Sequence, residues 1–549
     1  MCGAGKHDGR VAATDTQLAR GMTPSDQLAR HARKIPDVPA VRFDGTGRSY
    51  RELDERVSRL ANALRERGVG VGDRVAILGL NSVEVIEAFL ASVRLGAIGV
   101  PINFRLVAPE IGYALADSGA VAAVVDSTFA PLLDAARAHA PDLATCLVIG
   151  GTVGGTVGGT ELGAGGYADY EEALAAAAPE FAAPAVDDHA PAFIMYTSGT
   201  TGRPKGAVLT HYNLMLHAFS SNMHMGVHSD DRVSLSGAPL FHIAGLSGYL
   251  MCLLPGGTFV ITRSGGFDPA VTVALLADER VTTCFFVPSQ WQAICAVPGI
   301  AEHDLSALRR ISWGAAPAST ALLRTMMTTF PQAEVLTAFG QTECSPVTCY
   351  LRGEDSVRKI GSVGTPMLNV EVRVVDDEMN DVAQGEIGEI VYRGPLVMKE
   401  YWNKPEETAA AFEGGWFHSG DLVREDEDGY YYVVDRKKDM IISGGENIYC
   451  AEVENVLAGH PKIADVALIG IPDPRWGETP LAVLVPVDPA DPPTAEDVRR
   501  FCRENLASYK CPRAVAVVAE LPRNASGKVL KTELRGTYAA DGLVSAPAV

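Results

Sequence analysis

From Thr23 onward the chain alternates two apolar patterns. Between Tyr50 and Arg67, Leu53, Val57, Leu60 and Leu64 recur at helical spacing, which predicts an amphipathic helix. Arg74-Val75-Ala76-Ile77-Leu78 follows as a short buried strand, and Ser82 to Leu95 as a second helix with Ser82 as its N-cap. Ala97 to Pro101 and Val121 to Val125 read as further strands. Strands separated by helices imply βαβ units, a largely parallel sheet and an α/β fold. At 150–166 a repeated Gly-Gly-Thr-Val interrupts the alternation and reads as a flexible surface loop. The alternation resumes up to about Thr337. From Val370 to Tyr432 the texture changes to short strands, frequent turns and dense acid, which predicts an antiparallel β region closing a large domain.

Asp435-Arg436-Lys437-Lys438-Asp439 marks the expected boundary. Beyond it, helical patterns at 451–458 and 494–506 alternate with strands at 464–471, 481–487 and 515–519, a small α+β module. The expected plan is a disordered tail at 1–22, a large domain at 23–434 and a hinge at 435–438. A small mobile C-terminal domain at 439–538 and a frayed tail at 539–549 complete it.

Bulk properties narrow the function. The 549 residues exceed what one core supports, so at least two domains are required. No run of about 18 apolar residues occurs and the N-terminus lacks an apolar signal region, so a cytoplasmic location is expected. A peripheral membrane contact and oligomerisation stay open. The net charge of −20 argues against a nucleic-acid partner, and it means that an anionic ligand must be met by locally placed cations. Ten cysteines without a C-x-x-C pair indicate neither a zinc ribbon nor a disulfide framework. His211, His217, His224 and His228 fall at near-helical spacing, but no carboxylate or cysteine set completes a metal site, so a solvated or packing role is expected.

The chemistry concentrates first at Tyr196-Thr197-Ser198-Gly199-Thr200-Thr201-Gly202-Arg203-Pro204-Lys205-Gly206, where five hydroxyl side chains, three glycines and one lysine share a single turn. Apolar segments Ala192 to Met195 and Ala207 to Leu209 flank it as strands. Glycines let backbone N–H groups approach an anion, and the hydroxyls and Lys205 add donors, a combination suited to nucleotide phosphates. Pro204 stands where a Walker A loop needs glycine, which excludes the P-loop NTPases.

Other segments gain meaning only in combination. Gly314-Ala315-Ala316-Pro317 follows an apolar strand and can let a flat base slide against the backbone; alone it is a turn. In Phe339-Gly340-Gln341-Thr342-Glu343, the aromatic can stack on a base and the carboxylate can hold Mg²⁺ at a triphosphate. Ser419-Gly420-Asp421 places a carboxylate where it can accept from two ribose hydroxyls, although a single Asp in a turn is usually a cap. Pro522-Arg523-Asn524-Ala525-Ser526-Gly527-Lys528 is a second loop with a cation at its tip.

Taken in order, these stretches resemble the adenylate-forming superfamily of acyl-CoA synthetases, luciferases and peptide-synthetase adenylation domains, nearest to bacterial fatty-acyl-CoA ligases. The likeness spans roughly residues 25 to 535 and includes Asp435-Arg436-Lys437-Lys438-Asp439-Met440-Ile441-Ile442-Ser443-Gly444-Gly445-Glu446-Asn447-Ile448. The resemblance implies ATP, Mg²⁺ and coenzyme A as ligands. Thr197, Ser198, Gly199, Thr200, Thr201, Gly202 and Lys205 would wrap the β- and γ-phosphates, and Glu343 with Thr197 would hold Mg²⁺. Gly314, Ala315, Ala316 and Phe339, with Gly340 and Thr342 beside them, would line the nucleotide, and Asp421 and Arg436 would hold the ribose. Lys528 would reach the α-phosphate and the carboxylate, Lys438 would be the pivot, and Ser443, Gly444 and Gly445 would line the thiol tunnel.

That assignment implies attack of a carboxylate on the α-phosphorus, release of pyrophosphate, and transfer of the acyl group from AMP to sulfur. Two chemistries at one carbonyl need two lining surfaces, which a mobile small domain provides. Phe339 replaces a tyrosine common in relatives, and Ile442 replaces a frequent lysine. His242 stands where amino-acid-activating relatives have an aspartate, which fits an acid without an amine; a core histidine satisfied by backbone is the other reading. Leu246 to Leu254 and Cys284 to Pro288 can form the acid pocket or ordinary core. A fatty acid is the expected substrate, with an aryl acid, or an acyl-AMP ligase serving a carrier protein, as alternatives.

Overall fold

The computed structural model describes residues 21–151, 156–157, 160–161, 166–197, 204–227, 231–316, 318–353, 355–443, 446–523 and 528–539. The tail at 1–20, most of the repeat at 150–166, the C-terminal residues 540–549 and the loop at 198–203 lie outside these, as do Pro317, Gly444, Gly445 and 524–527.

The large domain is built on two sheets that are mainly parallel. One has eight strands, with Arg74–Leu78 and Ile98–Pro101 near its centre and Pro191–Thr197, Lys205–Thr210 and Glu400–Tyr401 completing one edge. The other has nine, in which Val233–Ser236, Thr283–Phe286, Arg310–Gly314 and Glu334–Gly340 run parallel and adjacent. Along the strands of the second sheet apolar residues alternate with Ser234, Ser236, Thr283 and Ser312, so one face is apolar and the other partly polar. Leu235, Cys284, Ile311, Trp313 and Val335 pack on one face of the second sheet against Val273, Trp291, Leu323 and Met326 from helices.

Local signals account for the helix ends. Ser82 caps Val83–Leu95 by accepting from the Val85 N–H at 3.3 Å, and Gly96 ends that helix in the left-handed region at φ 75°. Ser49 and Glu52 form a capping box on Tyr50–Glu66, and its apolar stripe Leu53, Val57, Leu60 and Leu64 is completely buried. The region beyond Val370 is an antiparallel sheet of Glu371–Val375, Ile387–Arg393, Phe417–Glu425 and Tyr431–Arg436.

The small C-terminal domain has its own core around Leu468, Leu484, Val453 and Val498. Its sheet centres on the hairpin of Ile463–Asp473 and Gly477–Pro486, with Ala514–Val517 added in parallel. A last helix, Lys531–Ala539, follows Lys528 inside the expected small domain, where the apolar pattern predicts no helix, and extends one residue into the expected tail. Lys531 Nζ pairs with Glu454 at 2.7 Å, and Arg535 pairs with Asp439 at 2.9 Å. Asp435 reaches across the boundary to accept the Cys450 N–H at 2.5 Å.

The histidine-bearing helix is His211–His224, with His228 outside the described residues. His211 and His217 are buried, and burial lowers them to about 4 and about 3. His217 Nε2 accepts the Val347 N–H at 3.1 Å, a packing role. Among the described residues no cluster of three metal-ligating side chains occurs, and no helix is long and apolar enough to cross a membrane.

Candidate active site

The strands Pro191–Thr197 and Lys205–Thr210 pair antiparallel, so that Thr197 stands opposite Lys205. Thr197 Oγ1 donates to the Lys205 carbonyl at 3.4 Å, closing the base of the loop whose tip, from Ser198 to Arg203, lies outside the described residues. The next strand outward is Glu400–Tyr401. Its Tyr401 ring carries Lys205 Nζ 5.1 Å from its centroid, and its hydroxyl donates to Glu343 Oε1 at 2.8 Å. Burial pushes the Glu343 carboxyl upward, while the Tyr401 hydroxyl, Arg436 and Lys205 act the other way. A buried carboxylate beside a lysine and a hydroxyl can join phosphate oxygens around a hard divalent cation.

Two glycines shape the floor between Arg310–Gly314 and Glu334–Gly340. A Cβ on Gly314 would stand 2.2 Å from the Ala338 carbonyl oxygen. One on Gly340, which has φ 151°, would stand 2.1 Å from the Pro346 carbonyl oxygen. Only glycine fits either place. Ala315 follows with φ 66°, a left-handed backbone that costs an alanine about 1 kcal/mol. Ala315, Gly340 and Thr342 line the cavity; Phe339, on the same strand, packs against the main core.

The strand Phe417–Glu425 bulges at 419–421, because Glu389 pairs with Leu422 while Val391 pairs with His418. The bulge sets Asp421 opposite Arg436, and Arg436 Nε donates to Asp421 Oδ1 at 2.5 Å. Asp421 is buried, which raises its carboxyl, and Arg436 and then Lys528 pull it back. Lys528 enters from the small domain, where the pairing of Arg523 with Val529 brings the ends of its loop together. Burial and Arg436 bring the Lys528 ammonium down to about 8, with Asp421 opposing them.

His242 caps the helix Ile243–Leu253, its Nδ1 accepting the Ala244 N–H at 3.2 Å. A ring whose Nδ1 accepts carries its proton on Nε2, and burial lowers its pKa to about 4, so His242 is a neutral donor at physiological pH. One cavity of about 1030 Å³ is lined by Thr197, Lys205, His242, Glu343, Arg436 and Lys528. Lys438 also lines it, whereas Ser443 sits in the small domain's sheet on Ile441–Ser443, away from that lining. The same cavity is lined by Phe285, Ser312, Ser236, Ser234 and Thr283. Those residues share one sheet face, since Ser236 pairs with Phe285 and Ser234 with Thr283.

Tyr401 and Glu389 stand outside every motif, and their partners lie 58 and 31 residues away in the chain. Isolated aromatic or acidic residues in strands carry no linear signal of such pairings; only the adjacency of Lys205–Thr210 and Glu400–Tyr401 creates the first one.

Residues 28–402 match the family described as AMP-binding enzyme, and residues 452–528 match the AMP-binding enzyme C-terminal domain. The chain is 42% identical over 513 residues to a feruloyl-CoA synthase of Amycolatopsis sp, covering 93% of this chain and 98% of that protein. It is 38% identical over 527 residues to the long-chain-fatty-acid–CoA ligase FadD13 of Mycobacterium tuberculosis, covering 95% and 98%. The anthranilate CoA ligase AuaEII, solved in complex with anthranoyl-AMP, superimposes with a TM-score of 0.86 at 28% identity, over 94% of this chain and 97% of that one. With both family patterns matched in order around the same cavity, the chain belongs to the AMP-binding enzyme family and is an acid–thiol ligase of the AMP-forming type.

Proposed function

We propose that this enzyme is an ATP-dependent acid–CoA ligase whose acid is an aromatic carboxylate with an oxygen substituent at the far end of its ring. The observation that carries the ligase chemistry is convergence: Lys528 from the small domain, Arg436 of the Asp421–Arg436 pair, Glu343 with Tyr401, and His242 line one cavity.

Asp421 and Arg436 would hold the ribose, and Thr197 and Lys205 the outer phosphates. Gly314 and Ala315 would lie against the base. Glu343, with Thr197, would hold Mg²⁺, whose remaining ligands would be phosphate oxygens and water, and the ion would offset charge on the triphosphate. In the first half-reaction an oxygen of the carboxylate attacks the α-phosphorus, the bond to the bridging oxygen of the β-phosphate breaks, and pyrophosphate leaves. Charge gathers on the phosphoryl oxygens, where a preorganised Lys528 ammonium acts most strongly. His242 would donate from Nε2 to an oxygen of the acid and fix its approach. In the second half-reaction the thiol sulfur bonds to the acyl carbon and AMP departs. Lys528 lines the cavity and Ser443 does not, which supports a rotation about Lys438 that exchanges one surface of the small domain for the other.

The acid-binding end favours an aromatic acid. Thr283 pairs with Arg310, four residues back along the strand from Gly314, a depth of about 13 Å. Serines and Thr283 on that floor, with the buried Asp231 held by Arg310 at 2.6 Å, give the far end a polar lining ill suited to an alkyl terminus. The Thr283 hydroxyl has no hydrogen-bond partner among the described residues. The relative at 42% identity is named for feruloyl-CoA. The second reading, a fatty acid, is supported by the 38% identical FadD13 and by the apolar Leu235, Met251 and Phe259 in the same lining.

Acid-dependent exchange of labelled pyrophosphate into ATP, followed by CoA-dependent AMP release, tests both readings across acetate, octanoate, palmitate, oleate, benzoate, coumarate and ferulate. Highest kcat/KM with coumarate or ferulate is expected. Palmitate or oleate above them overturns the aromatic reading, and no exchange with any acid overturns the ligase reading.

A further inference from the structure

Glu389 lies on Ile387–Arg393 with 6% of its surface exposed, between strand neighbours Gly388 and Ile390 that are buried as well. A carboxylate in such a place is costly unless donors meet it. Three groups do, two on the neighbouring strand Phe417–Glu425 and one, Lys437, just past the end of Tyr431–Arg436. Oε1 accepts the Gly420 N–H at 2.9 Å. Oε2 faces His418 Nδ1 at 3.2 Å and Lys437 Nζ at 3.3 Å. Lys437 also donates its backbone N–H to the Gly420 carbonyl at 2.9 Å, and its ammonium pairs with Asp377 at 2.7 Å.

These contacts coincide with the bulge that aims Asp421. Gly420 takes φ 71° at its centre. Ser419 Oγ donates to the Ile390 carbonyl at 2.5 Å, and the Asp421 N–H donates back to Ser419 Oγ at 3.0 Å. Three residues, 419–421, stand against Ile390 alone, which takes amides out of the ladder, and for Gly420 the Glu389 carboxylate takes the place of the missing strand carbonyl. Oε2 of the same carboxylate holds Lys437, the residue immediately before Lys438.

We propose that Glu389 is a positioning residue for the nucleotide: it locks the 418–421 bulge so that Asp421 is presented to the ribose, and it ties that bulge to the large-domain side of the pivot at Lys438. A buried ion pair adds little net stability compared with apolar packing, but it fixes one geometry among several, which is what a ribose-gripping bulge requires. The inference rests on the ribose assignment of Asp421 and Arg436, and the test separates the two.

The kinetics of acid-dependent pyrophosphate exchange are measured with ATP and with 2′,3′-dideoxy-ATP, which lacks both ribose hydroxyls, for the full-length parent, Asp421→Asn and Glu389→Gln. Thermal melts and circular dichroism report that each variant is folded. Glu389→Gln is expected to raise the KM for ATP about tenfold and to lose most of that penalty with the dideoxy nucleotide, because groups acting through one contact are not additive. Lys437→Met, which leaves the carboxylate in place, is expected to show the same nucleotide dependence at smaller size. Equal penalties on both nucleotides for Glu389→Gln, with Asp421→Asn still sensitive to the hydroxyls, overturn the positioning role alone. Insensitivity of Asp421→Asn overturns the ribose assignment and this inference with it.

Discussion

Asp421 and Arg436 stand directly opposite each other on neighbouring antiparallel strands, with the guanidinium Nε donating to the carboxylate at 2.5 Å. The pair turns an aspartate that by itself reads as a turn cap into the buried half of a fixed ion pair. Replacing Arg436 by lysine keeps the charge and loses the planar fork. Arg436→Lys is expected to raise the KM for ATP by on the order of tenfold to a hundredfold, since a hydrogen bond to a charged group is worth about 1.5–3 kcal/mol. Pyrophosphate-exchange kinetics check it, and an unchanged KM removes Arg436 from the nucleotide site.

Lys528 is held at about 8, below its ordinary 10.5, by burial and by Arg436. In the ligand-free enzyme its ammonium is present below that pH and lost above it, so kcat/KM for adenylation should fall as pH rises through about 8. Between 8 and 10.5 the folded form binds fewer protons than the unfolded one, so this group's contribution to stability rises with pH there, opposite to the activity trend. Lys528→Arg should flatten the alkaline limb. Lys528→Ala should slow pyrophosphate exchange on the order of 10²–10³-fold while leaving thioester formation from supplied acyl-AMP largely intact. A leucine at Gly444 should do the reverse; equal loss of both halves in either variant contradicts a small domain with two orientations.

His242 is neutral, with its pKa lowered to about 4, and its Nδ1 is committed to the Ala244 N–H. His242→Asn keeps a capping side chain, whereas His242→Ala gives up a cap worth about 1 kcal/mol as well. Both should lower kcat for the acid by roughly 10²-fold, the lower end of what a positioned donor supplies, with the KM for ATP little changed. Thermal melts separate the capping loss, which only the alanine variant should show.

Thr283→Val removes a hydroxyl without changing shape. It should raise the KM for coumarate about tenfold and leave cinnamate, which lacks the ring oxygen, unchanged or improved, because a polar site discriminates by the group left unpaired. Parallel kinetics on the two acids decide the matter, and equal effects on both remove Thr283 from ring recognition.

The fold class and both ends of the main helices were legible because their causes are local. Ser82 before an apolar stripe, and Leu53, Val57, Leu60 and Leu64 at helical spacing, determine a capped amphipathic helix whatever surrounds them. The shift to antiparallel strands beyond Val370 was legible from turn density, since hairpins need turn residues at short intervals. The helix Lys531–Ala539 was not, because with few apolar positions it is held by Lys531 on Glu454 and Arg535 on Asp439 rather than by its own pattern. For the site, sequence supplied Thr197, Lys205, Glu343, Asp421, Arg436 and Lys528 as candidates but could not say what each one touches.

By itself, then, the sequence determined the elements, the order of the candidate loops and the kind of groups they carry, because helix, strand and turn preferences act over a few residues. Tertiary structure alone decided that Tyr401 would meet Glu343, that a bulge held by Glu389 would aim Asp421 at Arg436, and that the floor beneath His242 would be polar at Thr283. Those relationships depend on which strands lie side by side and in what register, and register is settled by packing between segments far apart in the chain.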